Sequence, residues 1–154
     1  MEQEQKKRIL GKLQNLCVRR EYCESDIYAK ALKMVEGDEA LASDLLQSLV
    51  ADQFVSNLRY ASAYSREKAS ISGWGAVKIR YMLSHKGIDS QTISEALQEI
   101  DQGRAHQRLE RLLAAKYRQI ADDPQCKLKL IRYALSRGYG YEEIRPEIEK
   151  IVKS

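Results

Sequence analysis

The chain has 154 residues, 44% of them apolar and 31% charged, with 26 Lys and Arg against 22 Asp and Glu for a net charge of +4. That is enough apolar material for a packed core, yet no run of about eighteen apolar residues is present to span a membrane. Two prolines and eight glycines leave few breaks for a many-stranded sheet, whereas Ala, Leu, Lys, Glu, Gln and Arg, all good helix formers, dominate.

The first predicted helix covers residues 5–20, with Ile9, Leu13, Leu16 and Cys17 on one face. A second includes Asp26–Leu32 and stops near Gly37, and a third carries Leu41, Leu45 and Leu49. Residues 53–70 form the next, placing Phe54, Val55, Leu58, Ala61, Ser62, Ser65 and Ala69 together; the small side chains let another backbone come close. Tyr60 and Tyr64 point away from that face as candidate exposed contacts. After Gly73-Trp74-Gly75, where Trp74 is placed to fill a seam between units, a helix over 76–86 ends at Gly87. The following helix is capped by Asp89 and carries Ile93, Leu97 and Ile100. A long helix over 104–121 bears Leu109, Leu112, Leu113 and Ile120. Asp123-Pro124 reads as an N-cap followed by a first-turn proline, opening a helix that stops at Gly138. The last helix carries Ile144, Ile148 and Ile151, and Pro146 within it is expected to kink it.

These elements repeat. The run Ile79-Arg80-Tyr81-Met82-Leu83-Ser84-His85-Lys86-Gly87 returns, one residue shorter, as Ile131-Arg132-Tyr133-Ala134-Leu135-Ser136-Arg137-Gly138. Apolar residues follow both glycines at the same offsets of six, ten and thirteen. Glycine suits the stop because the residue after a helix often needs positive φ. The expectation is an all-α protein of three tandem three-helix repeats, with boundaries at 1–51, 52–102 and 103–154. A unit of about fifty residues buries too little alone, so neighbours share a core in an elongated array that can curve. The alternative is a single compact nine-helix domain.

The net charge hides segregation: residues 52–88 sum to +4, 89–103 to −4 and 104–138 to +6. Arg104, Arg108, Arg111 and Arg118 fall in one stripe of the long helix, opposite its leucines, and are expected to face solvent or a partner. Arg59 and Arg66 form a smaller pair, as do Lys78 and His85. Only Glu110 and Glu67 lie near them along the chain, so pairing within a helix leaves these cations available to phosphates or carboxylates. Reversing Arg108 and Arg111 together is expected to spare the fold. Cys17, Cys23 and Cys126, an odd set without a CxxC pair, read as cytosolic thiols, and the charged N-terminal MEQEQKKRILGKLQ lacks a secretory apolar core, so a cytoplasmic protein is expected. His85 and His106 stand alone, with no His or Cys at metal-ligand spacing, so no metal or cofactor is assigned. Phosphate-loop, nucleophile-elbow and zinc-helix motifs are lacking, which argues against an enzyme.

The pattern Asp52-x-Phe54-Val55, then Trp74-Gly75-x-x-Lys78-Ile79-x-x-x-Leu83-x-x-Lys86-Gly87-Ile88, resembles the central signature of the RecX regulatory proteins. Arg20-Glu21-Tyr22-Cys23-Glu24-Ser25-Asp26-Ile27, with Lys30 and Leu32, is similar to that family's first-unit pattern. The likeness covers about residues 8–152; Cys23, the single acidic Asp52 and Pro146 depart from it. It implies a cytoplasmic, non-enzymatic protein that lodges in the groove of the RecA filament on single-stranded DNA and suppresses ATPase, strand exchange and filament maintenance; a monomer is expected. The candidate RecA- or DNA-binding residues are Arg59, Arg66, Lys78, Arg80, Lys86, Arg104, Arg108, Arg111, Arg118, Lys129 and Arg132. Two other readings stand beside it: a basic helical module that binds nucleic acid alone, and a helical scaffold for another protein.

Overall fold

The structure, a computed structural model, describes residues 2–153. Those residues form nine α-helices and no strand: α1 (Gln3–Arg19), α2 (Glu24–Met34), α3 (Glu39–Ala51), α4 (Asn57–Ser70), α5 (Ala76–His85), α6 (Ser90–Leu97), α7 (Gln102–Ile120), α8 (Cys126–Ser136) and α9 (Tyr141–Lys153). They pack in consecutive threes. One core gathers Leu13, Ile27, Leu45 and Leu49, a second Ile79, Leu83 and Ile93, and a third Leu109, Leu113, Leu130, Ile144 and Ile148. The chain exposes 9687 Å². A compact monomer of this mass would expose about 7,900 Å². The excess is what three small cores in a row require, and it rules out the single nine-helix ball.

The glycine stops are conformational. Gly37, Gly87 and Gly138 have φ of 88°, 77° and 96°, in the left-handed region where a Cβ is penalised. Asp38, Asp89 and Asp101 accept from backbone N–H groups three residues on, opening α3, α6 and α7. On α4, Ala61, Ser62, Ser65 and Ala69 are all buried, and this small-residue face packs against α6.

The structure differs from the sequence reading at several places. The helix expected from residue 53 begins at Asn57, capped by Ser56. Gln53 has a φ of 67°, which ends α3 and turns Val55 into the first core, while Leu58 is exposed. Asp123 does not cap α8; it accepts from Gln125 N inside a turn, and the helix begins at Cys126. The matched Ile-Arg-Tyr words are out of phase. Ile79 and Leu83 are buried, but their structural counterparts are Leu130 and Ala134, and Leu135 is exposed. Core positions and glycines both recur 51 residues apart, whereas the words recur at 52, a rotation of about 100° on a helix. Helix α9 runs unbroken through the exposed Pro146. The proline costs α9 one bond, to the Glu142 carbonyl in its first turn.

The joints between triplets follow one rule. Helix α5 has no side-chain cap, and its N-terminus sits on the C-terminus of α8. Gly75 N donates to Arg137 O at 2.9 Å and Val77 N to Gly138 O at 3.0 Å, so the orphan donors of one helix end meet the orphan acceptors of another. Tyr139 Oη donates to Gly73 O at 3.0 Å, and the Arg137 guanidinium donates to Ser72 O. The approach leaves no room for side chains: a Cβ on Gly75 would lie 2.4 Å from Gly138 O, and one on Gly138 2.3 Å from Lys78 Cβ. The other joint repeats this with side chains. Ser25 Oγ, in the first turn of α2, donates to Lys86 O beyond α5 at 2.8 Å, and Glu24 N donates to Asn57 Oδ1 at 2.8 Å. Cys23, preceding α2, belongs to the second core.

Candidate functional site

The candidate cations divide by what they touch. On α4, Arg59 pairs with Glu21 at 3.0 Å and Arg66 with Glu99 at 2.9 Å. Lys86 pairs with Asp26 at 3.2 Å, and Arg104 lies 3.9 Å from Asp101. Lys129 pairs closely with Asp123, whose carboxyl it holds below the usual range. These five therefore each have a carboxylate within 4.0 Å, mostly from partners far away in sequence. Glu110, expected beside the arginines, instead bridges to His106 at 2.8 Å.

Six candidates have no carboxylate within 4.0 Å among the described residues. Lys78 lies over the Trp74 ring at 4.3 Å, and Arg80 donates to Ser94 Oγ at 3.1 Å. Arg111 and Arg118 are exposed on α7, and Arg132 is exposed on α8. Arg108 is the exception within the stripe: it is half-buried, and its Nε is buried without a partner. It lies beside Tyr139, whose hydroxyl burial pushes up and Arg108 pulls back down. It borders an open cavity of about 250 Å³ shared with Arg66, Glu99, Asp101 and Arg104. Reversing its charge would disturb the packing between the second and third triplets, so the expectation that Arg108 and Arg111 can be reversed without harm is withdrawn for Arg108.

The Lys86–Asp26 pair joins the first two triplets and gives a test by pH. Its hydrogen bond to Asp26 raises the Lys86 pKa, while partial burial opposes this. A raised lysine pKa stabilises the fold below the unfolded value, and that contribution is lost as pH climbs through the folded one. Both side chains remain about a third or more exposed, so the effect is below about 1 kcal/mol. Asp26→Asn is expected to lower the urea midpoint slightly at about pH 8 and by less at about pH 11, as pH climbs into the raised Lys86 range. An equal gap at both pH values would show that the pair contributes no charge interaction.

Aromatic and cationic groups that the candidate set omitted also meet. Tyr60 and Tyr64, expected to project outward, are half-buried against the second core; burial raises both hydroxyl pKa values, with Lys86 opposing. Trp74 packs there too, at a small cavity it shares with Ala105, Arg108 and Tyr139 of the third triplet, so it does occupy a seam. Lys68 lies 4.9 Å from the Trp74 ring centroid and 5.5 Å from that of Tyr64, four residues before it. That aromatic–cation spacing of four residues is readable in the sequence.

His106 has a structural role the sequence hid. Its Nε2 lies 2.8 Å from Glu110 Oε1 and 3.2 Å from Glu147 Oε1, joining α7 to α9. These three could donate to a divalent cation, but Lys150 Nζ, 3.2 Å from the same Glu147 oxygen, already supplies positive charge. Cys17, Cys23 and Cys126 are all free thiols. No helix among the described residues is long and apolar enough to cross a membrane.

Three helical triplets joined end to end, with arginines displayed along the third, define a tandem helical-repeat protein. The family models for the second and third three-helix domains of RecX match residues 56–97 and 105–146. The regulatory protein RecX of Chromohalobacter salexigens is 30% identical over 133 residues, covering 84% of both chains. That of Pectobacterium atrosepticum is 32% identical over 140 residues, covering 82% of both. That of Clostridium acetobutylicum is 31% identical over 134 residues, but the match spans only 61% of its length. A crystal structure of RecX from Lactobacillus salivarius shares the fold, with a TM-score of 0.85 at 19% identity over 98% of this chain and 99% of that one. A second RecX crystal structure gives 0.81 at 21% identity, over 97% and 71%. The chain belongs to the RecX family of regulatory proteins.

Proposed function

We propose that this protein is a non-enzymatic regulator that lies in the groove of the RecA filament on single-stranded DNA and suppresses its ATPase, strand exchange and persistence. The observation that carries the reading is the pairing of an extended repeat body with exposed, unneutralised arginines at Arg111, Arg118 and Arg132. A filament groove repeats along its length and is walled by protein and phosphate. Several modest contacts on one rigid body act at high effective concentration, so their sum can be tight. The cations with a nearby carboxylate, Arg59, Arg66, Lys86, Arg104 and Lys129, serve in this reading as scaffold or secondary contacts. The repeat boundaries near residues 52 and 103 separate modules that bind together.

The test is RecA ATPase on single-stranded DNA with the purified protein added. Inhibition that saturates well below one protein per RecA protomer is expected, because one elongated body would touch several subunits. Unchanged hydrolysis together with tight, salt-steep binding to free DNA would replace this reading with that of a stand-alone nucleic-acid module.

A further inference from the structure

The rings on and after α4 are not explained by core packing alone. Tyr60 and Tyr64 stack one turn apart, with centroids 5.9 Å apart and planes at 29°, and Trp74 meets Tyr64 edge-on at 6.3 Å. All three remain partly exposed. Cations flank the row: Lys68 and Lys78 at Trp74, Lys68 again at Tyr64, and Arg20 stacked 4.1 Å from the Tyr22 centroid. Where the first triplet meets the second, Tyr60 and Tyr64 line an open cleft of about 370 Å³ with Arg20, Glu21, Glu67 and Lys68.

We propose that this cleft is a stacking site for an unpaired nucleobase of a single-stranded nucleic acid. Aromatic faces beside a positively charged track are what such strands use, because every base has a π-face and every linkage a phosphate. The carboxylates decide against simpler ligands. Glu21 is matched by Arg59, but Glu67 remains on the rim, where it would repel a bare phosphate or an acidic peptide. A base edge carries donors as well as acceptors and tolerates it. Duplex DNA keeps its bases stacked on one another and offers no ring to the cleft. The inference rests on the filament reading for its biological ligand, and it places one nucleic-acid contact on α4, where the first triplet meets the second.

The probe is a thymine oligonucleotide carrying 5-iodouracil, photocrosslinked to the full chain without RecA and mapped by mass spectrometry. Adducts on Tyr60, Tyr64 or Trp74 are expected. Tyr64→Ala is expected to weaken the oligonucleotide about tenfold with an unchanged salt slope, while Tyr64→Phe binds as the parent does. An abasic strand of equal length should not distinguish parent from Tyr64→Ala. Adducts confined to α7 and α8, or an abasic strand that binds as tightly as the thymine strand, would overturn the proposal. RecA ATPase assayed in parallel keeps the two readings apart. Inhibition without ring adducts removes only the base site, and ring adducts without inhibition remove only the filament.

Discussion

Replacing Gly75 by alanine is expected to cost about 3 kcal/mol and to lower the melting temperature by roughly 10 °C. The backbone of Gly75 is ordinary, with a φ of −81°, so conformational strain has no part in this. The new methyl would lie 2.4, 2.6 and 2.7 Å from Gly138 O, Gly138 C and Tyr139 N. All three are backbone atoms at the end of α8 and cannot swing aside. The joint must open, and the bonds from Gly75 N and Val77 N to α8 weaken with it. Gly37→Ala is the control. Its φ of 88° is strained for alanine, but no atom lies within 4 Å of the added methyl, so only about 1 kcal/mol is expected. Circular-dichroism melts of the two variants check the comparison. A Gly75→Ala protein as stable as Gly37→Ala would mean that the triplets do not approach this closely in solution.

Reversing Arg111 and Arg118 to glutamate is expected to leave the melt unchanged and to raise the concentration needed for half-inhibition of RecA ATPase at least about tenfold, roughly 1.4 kcal/mol. Both side chains are exposed, seven residues apart on α7, with no carboxylate within 4.0 Å among the described residues. The loss should shrink as salt is raised, because the contact it removes is screened. Arg66→Glu serves as comparison: Arg66 is already held by Glu99, so its reversal should weaken inhibition less while costing some stability. If the folded double variant inhibited as well as the parent, α7 would have no place in the interface.

What could be read from sequence was local. Gly37, Gly87 and Gly138 announce their role because a helix stop needs a left-handed residue, a property of the residue itself. The isoleucines and leucines of α6, α7 and α9 show their buried faces for the same reason. Gly75 gave no such sign, since its requirement comes from a carbonyl 63 residues away. Arg59 and Arg66 looked unpaired because Glu21 and Glu99 lie 38 and 33 residues off. Arg108 shared a stripe with solvent-facing arginines yet turned into a joint that helical periodicity cannot foresee. The repeated Ile-Arg-Tyr word misled in a different way. Identity of letters suggested a register, but burial follows helical phase, and the phase placed Leu130 rather than Ile131 beneath the core.

The joints also give the molecule a polarity. In each, the amino end of one second helix rests on the carboxyl end of the next, so α2 leans on α5 and α5 on α8. The two extremities therefore differ: the carboxyl end of α2 stands at one and the amino end of α8 at the other. A nucleic acid strand, or a filament wound on one, has a sense of travel of its own. A body with unlike ends can match that sense in only one of its two orientations.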